Sequence, residues 1–371
     1  MYAIIIIILS PPHIERIFKF MKKILAIIIA AILAFGFSGC EKEPPSVYLF
    51  GESHGAEIIT LKEYELWHDY YHNEGMRHLF IEDSYAGAQF LNIWMQSEDN
   101  TILEQLRGDT KGSSAYADVH WDFYRLIKEN CPETVFHGTD IGHQYDTTCT
   151  RYLEYLEENG MKDSEEYRLA LENLEDGKYF YDTLDPNLAD GYKAWDFREE
   201  KMAENFIREF DSLGGESVMG IYGSSHTPLD GMSNYNRNLP CMANMIHQNY
   251  GESVTMLSTF VEDLIDSPII VETVSVNGKD YEASYYGSIY VANYTDDYEY
   301  FNFWRLENAY EDFKGYSKSS RNMTISTFPM PVKENEILVI DYISKTGETE
   351  RTVHIITIRN GEPLAKELVI E

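Results

Sequence analysis

Basic side chains are scarce in this chain of 371 residues: 30 Lys+Arg stand against 62 Asp+Glu, for a formal net charge of −32. Residues 1–39 hold four of those bases (Arg16, Lys19, Lys22, Lys23) and one acid, Glu15, so the remainder is more acidic still. A surface of that sign repels phosphate backbones and anionic lipid, which argues against nucleic acid as a partner. Cysteine is equally scarce, at four residues. No CxxC pair or Cys/His cluster is present that would hold a structural zinc. No internal repeat is visible, which sets solenoid and propeller architectures aside. Aromatics are plentiful by contrast, with 28 Tyr and 18 Phe. Acidity with that many aromatics describes a folded core inside a solvated acidic exterior, not a disordered chain.

The N-terminal part reads as a targeting segment. Met21–Cys40 is M-K-K-I-L-A-I-I-I-A-A-I-L-A-F-G-F-S-G-C: two lysines, an apolar run, and small residues before a cysteine. That order defines a signal peptide, and the apolar stretch Ile24–Phe37 falls short of the ~20 residues a bilayer span needs. A second apolar patch, Ile4–Leu9, precedes it, and Met21 reads as the true start. The ending Phe37-Ser38-Gly39-Cys40 resembles the bacterial lipobox, which implies cleavage before Cys40, acylation of its sulfur and anchoring to a membrane of the cell envelope, outside the cytoplasm. The expected organisation is a signal peptide over 1–39, a lipidated tether over 40–45, an α/β domain over 46–330 and a β-hairpin extension over 331–371. With Cys40 acylated, Cys131, Cys149 and Cys241 remain, and Cys131–Cys149 is the first candidate for a disulfide.

Short apolar strands alternate with amphipathic helices through most of the chain. Val47–Gly51, His78–Ile81, Thr134–Gly138 and Ser217–Tyr222 read as strands. Helical spacing covers Leu61–Tyr71, Ala86–Gln96, Ala115–Glu129 and Trp195–Phe210, the first opened by a capping box, Thr60-Leu61-Lys62-Glu63. The acidic stretch Arg151–Leu184 reads as helical and exposed. Such alternation predicts an α/β fold with a largely parallel or mixed central sheet flanked by helices. After about residue 268 the pattern turns to strands: Pro268–Val276, Tyr285–Val291, and a hairpin of Glu336–Ile343 and Thr352–Ile358 around Lys345–Glu348. This forms a β-rich C-terminal extension.

What matters for chemistry is where the polar residues sit. Three of the apolar strands end in ionisable groups: Glu52 and His54, then Glu82, then His226. In open α/β sheets ligands bind outside the carboxyl ends of the strands, so these four are expected to converge on one crevice. Arg198 and Glu199 are available to it from the helix near residue 200. Two imidazoles, several carboxylates and a guanidinium suffice for hydrolysis: a histidine takes a proton from water, a carboxylate orients it, and a cation stabilises the oxyanion. Each residue also has a plainer reading, as a turn residue (His54), a solvated carboxylate (Glu82), a charged helix turn (Arg198, Glu199) or a cap neighbour (His226).

Gly51-Glu52-Ser53-His54-Gly55, Ile81-Glu82, Gly138-Thr139-Asp140, Arg198-Glu199-Glu200-Lys201-Met202-Ala203-Glu204-Asn205 and Gly223-Ser224-Ser225-His226 resemble the erythromycin-esterase-like proteins and their wider relatives, the ChaN-like haem-uptake and TIKI/TraB proteins. The resemblance spans about residues 46–265 and favours the esterase branch. It implies His54 as general base, Glu52 and Glu82 holding the water or the base, and Arg198 and His226 supporting the oxyanion. Ser53, Asp140, Glu199 and Ser225 take supporting places. The TIKI/TraB relatives imply a divalent metal for peptide hydrolysis, for which Glu52, His54, Glu82 and His226 are the available ligands. The chain departs from the esterases by running directly from Ser53 to His54, where they carry one more residue. The expected partner is a small-molecule or peptide substrate. A ChaN-like reading would instead make the protein a haem or small-ligand carrier, with Tyr285, Tyr286, Tyr298 and Tyr300 as candidate ligands. Those tyrosines otherwise pack a sheet, and a surface scaffold without catalysis is a third possibility.

Overall fold

The computed structural model describes residues 44–324 and 330–370. The expected leader and lipobox lie outside them. Strands β1 (Ser46–Glu52), β2 (His78–Ser84), β3 (Val135–Asp140), β4 (Val218–Gly223) and β5 (Thr255–Phe260) form a parallel sheet in the order β3-β2-β4-β1-β5. They read as continuous apolar runs because a parallel sheet is covered on both faces; all six residues of β4 are buried.

The helices are α1 (Glu57–Asn73), α2 (Tyr85–Met95), α3 (Thr101–Asp109), α4 (Asp118–Asn130), α5 (Thr150–Glu158), α6 (Glu165–Lys178), α7 (Tyr192–Ser212) and α8 (Met242–Tyr250). On one face of the sheet Val47, Leu49, Phe80 and Tyr222 pack against Met202, Phe206 and Phe210 of α7 and Met242 and Ile246 of α8. On the other, Phe50, Leu79, Ile81 and Phe136 pack against Ile58, Ile59 and Trp67 of α1, Phe90 and Trp94 of α2, and Trp121 and Tyr124 of α4. The layers fix the heights of the strand ends: Glu52 pairs with Gly223 in register, and Ser84 with Asp140.

Beyond residue 269 the chain builds an antiparallel sheet of β6 (Ile270–Val276), β7 (Lys279–Tyr290), β8 (Tyr298–Leu306), β9 (Lys318–Thr324), β10 (Ile337–Ser344), β11 (Thr349–Arg359) and β12 (Glu362–Leu368), in the order β6-β7-β8-β10-β11-β12-β9. The expected boundary at 330/331 therefore falls inside one sheet. β10 pairs with β8 on one side and β11 on the other, so the hairpin is the middle of the sheet and not an appendage. The change of pattern near residue 268 coincides with the start of β6.

This second sheet is tied to α1 by one carboxylate. A register shift in β7 between Tyr285 and Ser288, with Gly287 at φ 92°, frees the Ser288 N–H from the ladder. Glu57 Oε2 accepts it at 3.0 Å, along with Ser288 Oγ at 3.1 Å and Tyr285 Oη at 3.2 Å. α1, which carries Glu57 as its first residue, begins three residues before the expected capping box. Ala56 is the N-cap, without a side-chain cap bond, and Thr60 and Glu63 fall inside the helix.

Two further expectations are corrected. Cys131, Cys149 and Cys241 are all free and buried. Cys149 Sγ donates to Asn173 Oδ1, and burial pushes its thiol up to about 12 and that of Cys131 up to about 11. The acidic stretch 151–184 is helical as expected but not simply exposed. Tyr152, Leu156, Ala170 and Phe180 are buried, and Tyr152 meets Phe90 of α2 edge-on at 5.1 Å.

Candidate active site

The carboxyl ends of β1, β2, β3 and β4 lie side by side, and Glu52, Glu82, Asp140 and Gly223 end or nearly end those strands. Three carboxylates at one sheet edge would repel one another without a cation between them. Arg198, in the second turn of α7 and 8% exposed, supplies it. Its Nε donates to Asp140 Oδ1 at 3.0 Å and its Nη2 to Asp140 Oδ2 at 2.6 Å, while Nη2 also donates to Glu82 Oε1. Glu82 Oε2 accepts the Gly223 N–H at 2.5 Å. Burial works against the charged form of Glu82, but Arg198 and the protonated His54 outweigh it and hold the carboxyl below the usual carboxylate range. Asp140 is likewise held well below the usual carboxylate range, burial being overcome by Arg198 and His143.

His226 stands behind the arginine. Its Nδ1 lies 2.7 Å from Glu199 Oε1 and its Nε2 3.4 Å from Arg198 Nη1. A carboxylate only accepts and a guanidinium only donates, so the ring that satisfies both carries its hydrogen on Nδ1 and presents a lone pair at Nε2. Glu199 Oε2 also accepts the N–H of Met242, at the start of α8, at 2.8 Å. Glu199 thus orients His226 and does not reach the cavity. By donor count, one N–H of Arg198 Nη1 is left without a partner among the described residues.

His54 lies on the loop after β1. Its Nδ1 is in contact with Glu52 Oε1, and its Nε2 is 3.9 Å from Glu82 Oε1. A side chain at Gly223 would crowd the site: a Cβ there would sit 3.1 Å from His54 Nε2 and 3.2 Å from Glu82 Oε2. The Glu52 carboxylate, assisted by Glu82 and opposed by burial and Arg198, pushes His54 up to about 10. At neutral pH the resting ring therefore carries both protons, which the sequence alone did not foretell.

These groups open onto a cavity of about 430 Å³ lined by Glu52, His54, Glu82, Asp140 and Arg198. Ser53 and Ser225, expected in supporting places, are not among its lining residues: Ser53 is exposed beside the lining His54, and Ser225 lies in the turn after β4. The cavity also takes in residues that sequence reasoning passed over. Asp83 joins Glu82 because β2 shifts register against β3 between Ile81 and Ser84, so consecutive residues face the same space. Burial raises Asp83 to about 6. Glu63 and Thr60 of α1, His120 and Trp121 of α4, and His143, Tyr181 and Trp195 complete the wall. Burial, then Glu52 and Glu262, keep Glu63 well above the usual carboxylate range.

The four residues that would hold a metal do not fit one. Both Glu82 oxygens are taken by Arg198 and Gly223, His226 is used at both nitrogens, and a guanidinium occupies the centre where a divalent cation would be repelled. No group of three or more His, Cys, Asp or Glu among the described residues is arranged to hold an ion. The tyrosines considered for haem do not fit it either. Tyr285 and Tyr298 donate their hydroxyls to Glu57 and Glu350 at 3.2 and 2.9 Å, Tyr286 is 1% exposed, and Tyr300 packs edge-on against Tyr290.

No family model and no curated protein matches the chain. Three solved structures resemble it in shape. A Bacillus cereus protein has 14% identity and a TM-score of 0.41 over 58% of this chain and 65% of its own. A succinoglycan biosynthesis protein has 13% and 0.42 over 58% and 66%. An erythromycin esterase mutant in its open conformation has 12% and 0.40 over 68% and 78%. The chain thus spans a little under two thirds of the length of the first two.

Arg198→Lys tests the centre of that geometry. An ammonium cannot grip Asp140 through two nitrogens and still reach Glu82. The variant is expected to lose about 1–3 kcal/mol of stability by chemical denaturation, as buried acceptors go unpaired. Unchanged stability would remove Arg198 from its central place.

Proposed function

We propose that the protein is a hydrolase, held to a membrane outside the cytoplasm through Cys40, that directs water at an ester, lactone or amide. The observation that supports this most is a histidine with one nitrogen against a carboxylate and the other facing a cavity beside a buried arginine. In the neutral ring, Glu52 accepts the Nδ1 hydrogen and Nε2 takes a proton from water. The hydroxide so formed adds to the carbonyl carbon, and the free Nη1 hydrogen of Arg198 faces the resulting oxyanion. As the tetrahedral adduct collapses, the imidazolium returns its proton to the departing oxygen or nitrogen. Glu82, Asp140, Glu199 and His226 position the arginine. The motifs resembling the erythromycin-esterase-like proteins agree with these roles.

Because Glu52 raises His54, the base form grows as pH rises towards about 10. The expected kcat/KM profile on a panel of simple esters therefore climbs with pH, with its midpoint well above the ordinary histidine value near 6.5. Glu52→Gln removes the largest cause and should bring the midpoint down, while His54→Ala should lower turnover by about 100-fold or more. Wild-type turnover in His54→Ala, or a midpoint unmoved by Glu52→Gln, would contradict the mechanism. The anchor has its own check: Cys40→Ala should move the protein from the membrane fraction to the soluble one, and continued membrane association would speak against lipidation.

A further inference from the structure

The cavity has a second wall that water activation leaves unused. It is built by α1 and α4, which supply Thr60, Glu63, His120, Trp121, Phe123 and Tyr124. Within it Glu63 is 6% exposed, and its Oε1 has no hydrogen-bond partner among the described residues. A buried polar atom left unpaired costs stability, and the carboxyl that carries it lines the cavity, where a ligand group that reaches it would relieve that cost. Tyr124, 2% exposed, lines the same cavity as Glu63, so the acid and the aromatic wall belong to one surface.

The surroundings restrict what can complete Glu63. Glu52, Glu63, Glu82, Asp83 and Asp140 all line the cavity, which repels an anionic ligand. The cations among them are committed, Arg198 to Asp140 and Glu82 and the protonated His54 to Glu52. No metal-holding cluster is present among the described residues. A hydroxyl both donates and accepts, so it pairs with Glu63 whether the carboxyl is ionised or not. The Thr60 hydroxyl offers a second partner. Trp121 and Tyr181 add aromatic surface to the lining, against which the C–H groups of a saturated ring can lie. The volume falls within the about 300–1,000 Å³ of small-molecule sites.

We propose that Glu63 and Thr60, with the aromatic wall from Trp121 to Tyr124, form a hydroxyl-recognition subsite, and that the bond cleaved at His54 is carried on an uncharged, polyhydroxylated ring. The identity of the cleaved bond rests on the hydrolytic reading; the subsite does not. Binding of methyl α-D-glucopyranoside and of 2-methoxytetrahydropyran, the same ring without its hydroxyls and hydroxymethyl arm, to the full-length protein is followed by tryptophan fluorescence. The glucoside is expected to bind about tenfold tighter or more, the equivalent of one well-made hydrogen bond. Glu63→Gln should keep most of that preference and Glu63→Leu should abolish it. Glu63→Leu should also unfold at a higher temperature than the wild type, since it removes an unpaired buried oxygen. Equal binding of the two probes by the wild type, a preference that survives in Glu63→Leu, or a lowered unfolding temperature in that variant would each overturn the proposal. Turnover of methyl 6-O-acetyl-α-D-glucopyranoside separates the two readings. Glu63-dependent binding without turnover removes the hydrolase and leaves the subsite, whereas turnover without that dependence does the reverse.

Discussion

The structure turns on the guanidinium of Arg198. Parallel strands aim their carboxyl ends at one edge, and this chain places Glu52, Glu82 and Asp140 there. Bringing such groups together out of water is unfavourable unless a cation with matching geometry lies among them. Arg198 meets Asp140 through two nitrogens, reaches Glu82 with one of them, and faces His226 with the third. The apolar stripe of α7, with Met202, Phe206 and Phe210 under the sheet, holds the arginine at the required height. Packing of a helix against a sheet thus sets the electrostatics of the site.

From that centre the cavity divides into two chemistries. The sheet-edge wall is ionic and internally satisfied, with Glu82 and Asp140 kept charged and His54 kept protonated by the fields around them. The helical wall of α1 and α4 is aromatic, and its carboxyl, Glu63, is raised and unpaired. One wall suits proton transfer and charge stabilisation. The other suits holding a neutral molecule in place. α1 links them: Glu57 at its start fastens the second sheet, and Glu63 less than two turns on reaches the cavity.

The first wall was legible in the sequence because its strands are compact apolar runs with ionisable residues at or shortly after their ends. Glu52, His54, Glu82, Arg198 and His226 could all be named from that pattern and from the motifs around them. The second wall was hidden by a local motif. Thr60-Leu61-Lys62-Glu63 has the spacing of a capping box, but the helix starts earlier, at Glu57, and both Thr60 and Glu63 become cavity lining. Asp83 was missed for a similar reason, since strict alternation would point it away from Glu82 and only the β2 bulge does not. The domain boundary was misplaced because the aromatic and acidic residues of β7 and β8 carry no plain alternation, although β10 pairs directly with β8. None of these contacts between distant segments leaves a mark on the local pattern.

The most direct test of the Arg198-centred account is the protonation state of its two histidines, read by nitrogen-15 NMR of the protein labelled at histidine and assigned with single His→Gln variants. The account requires His54 to carry hydrogen on both nitrogens at pH 7 and to titrate far above 6.5, and His226 to carry its hydrogen on Nδ1. A His54 ring that titrates near 6.5, or a His226 ring with its hydrogen on Nε2, would contradict it.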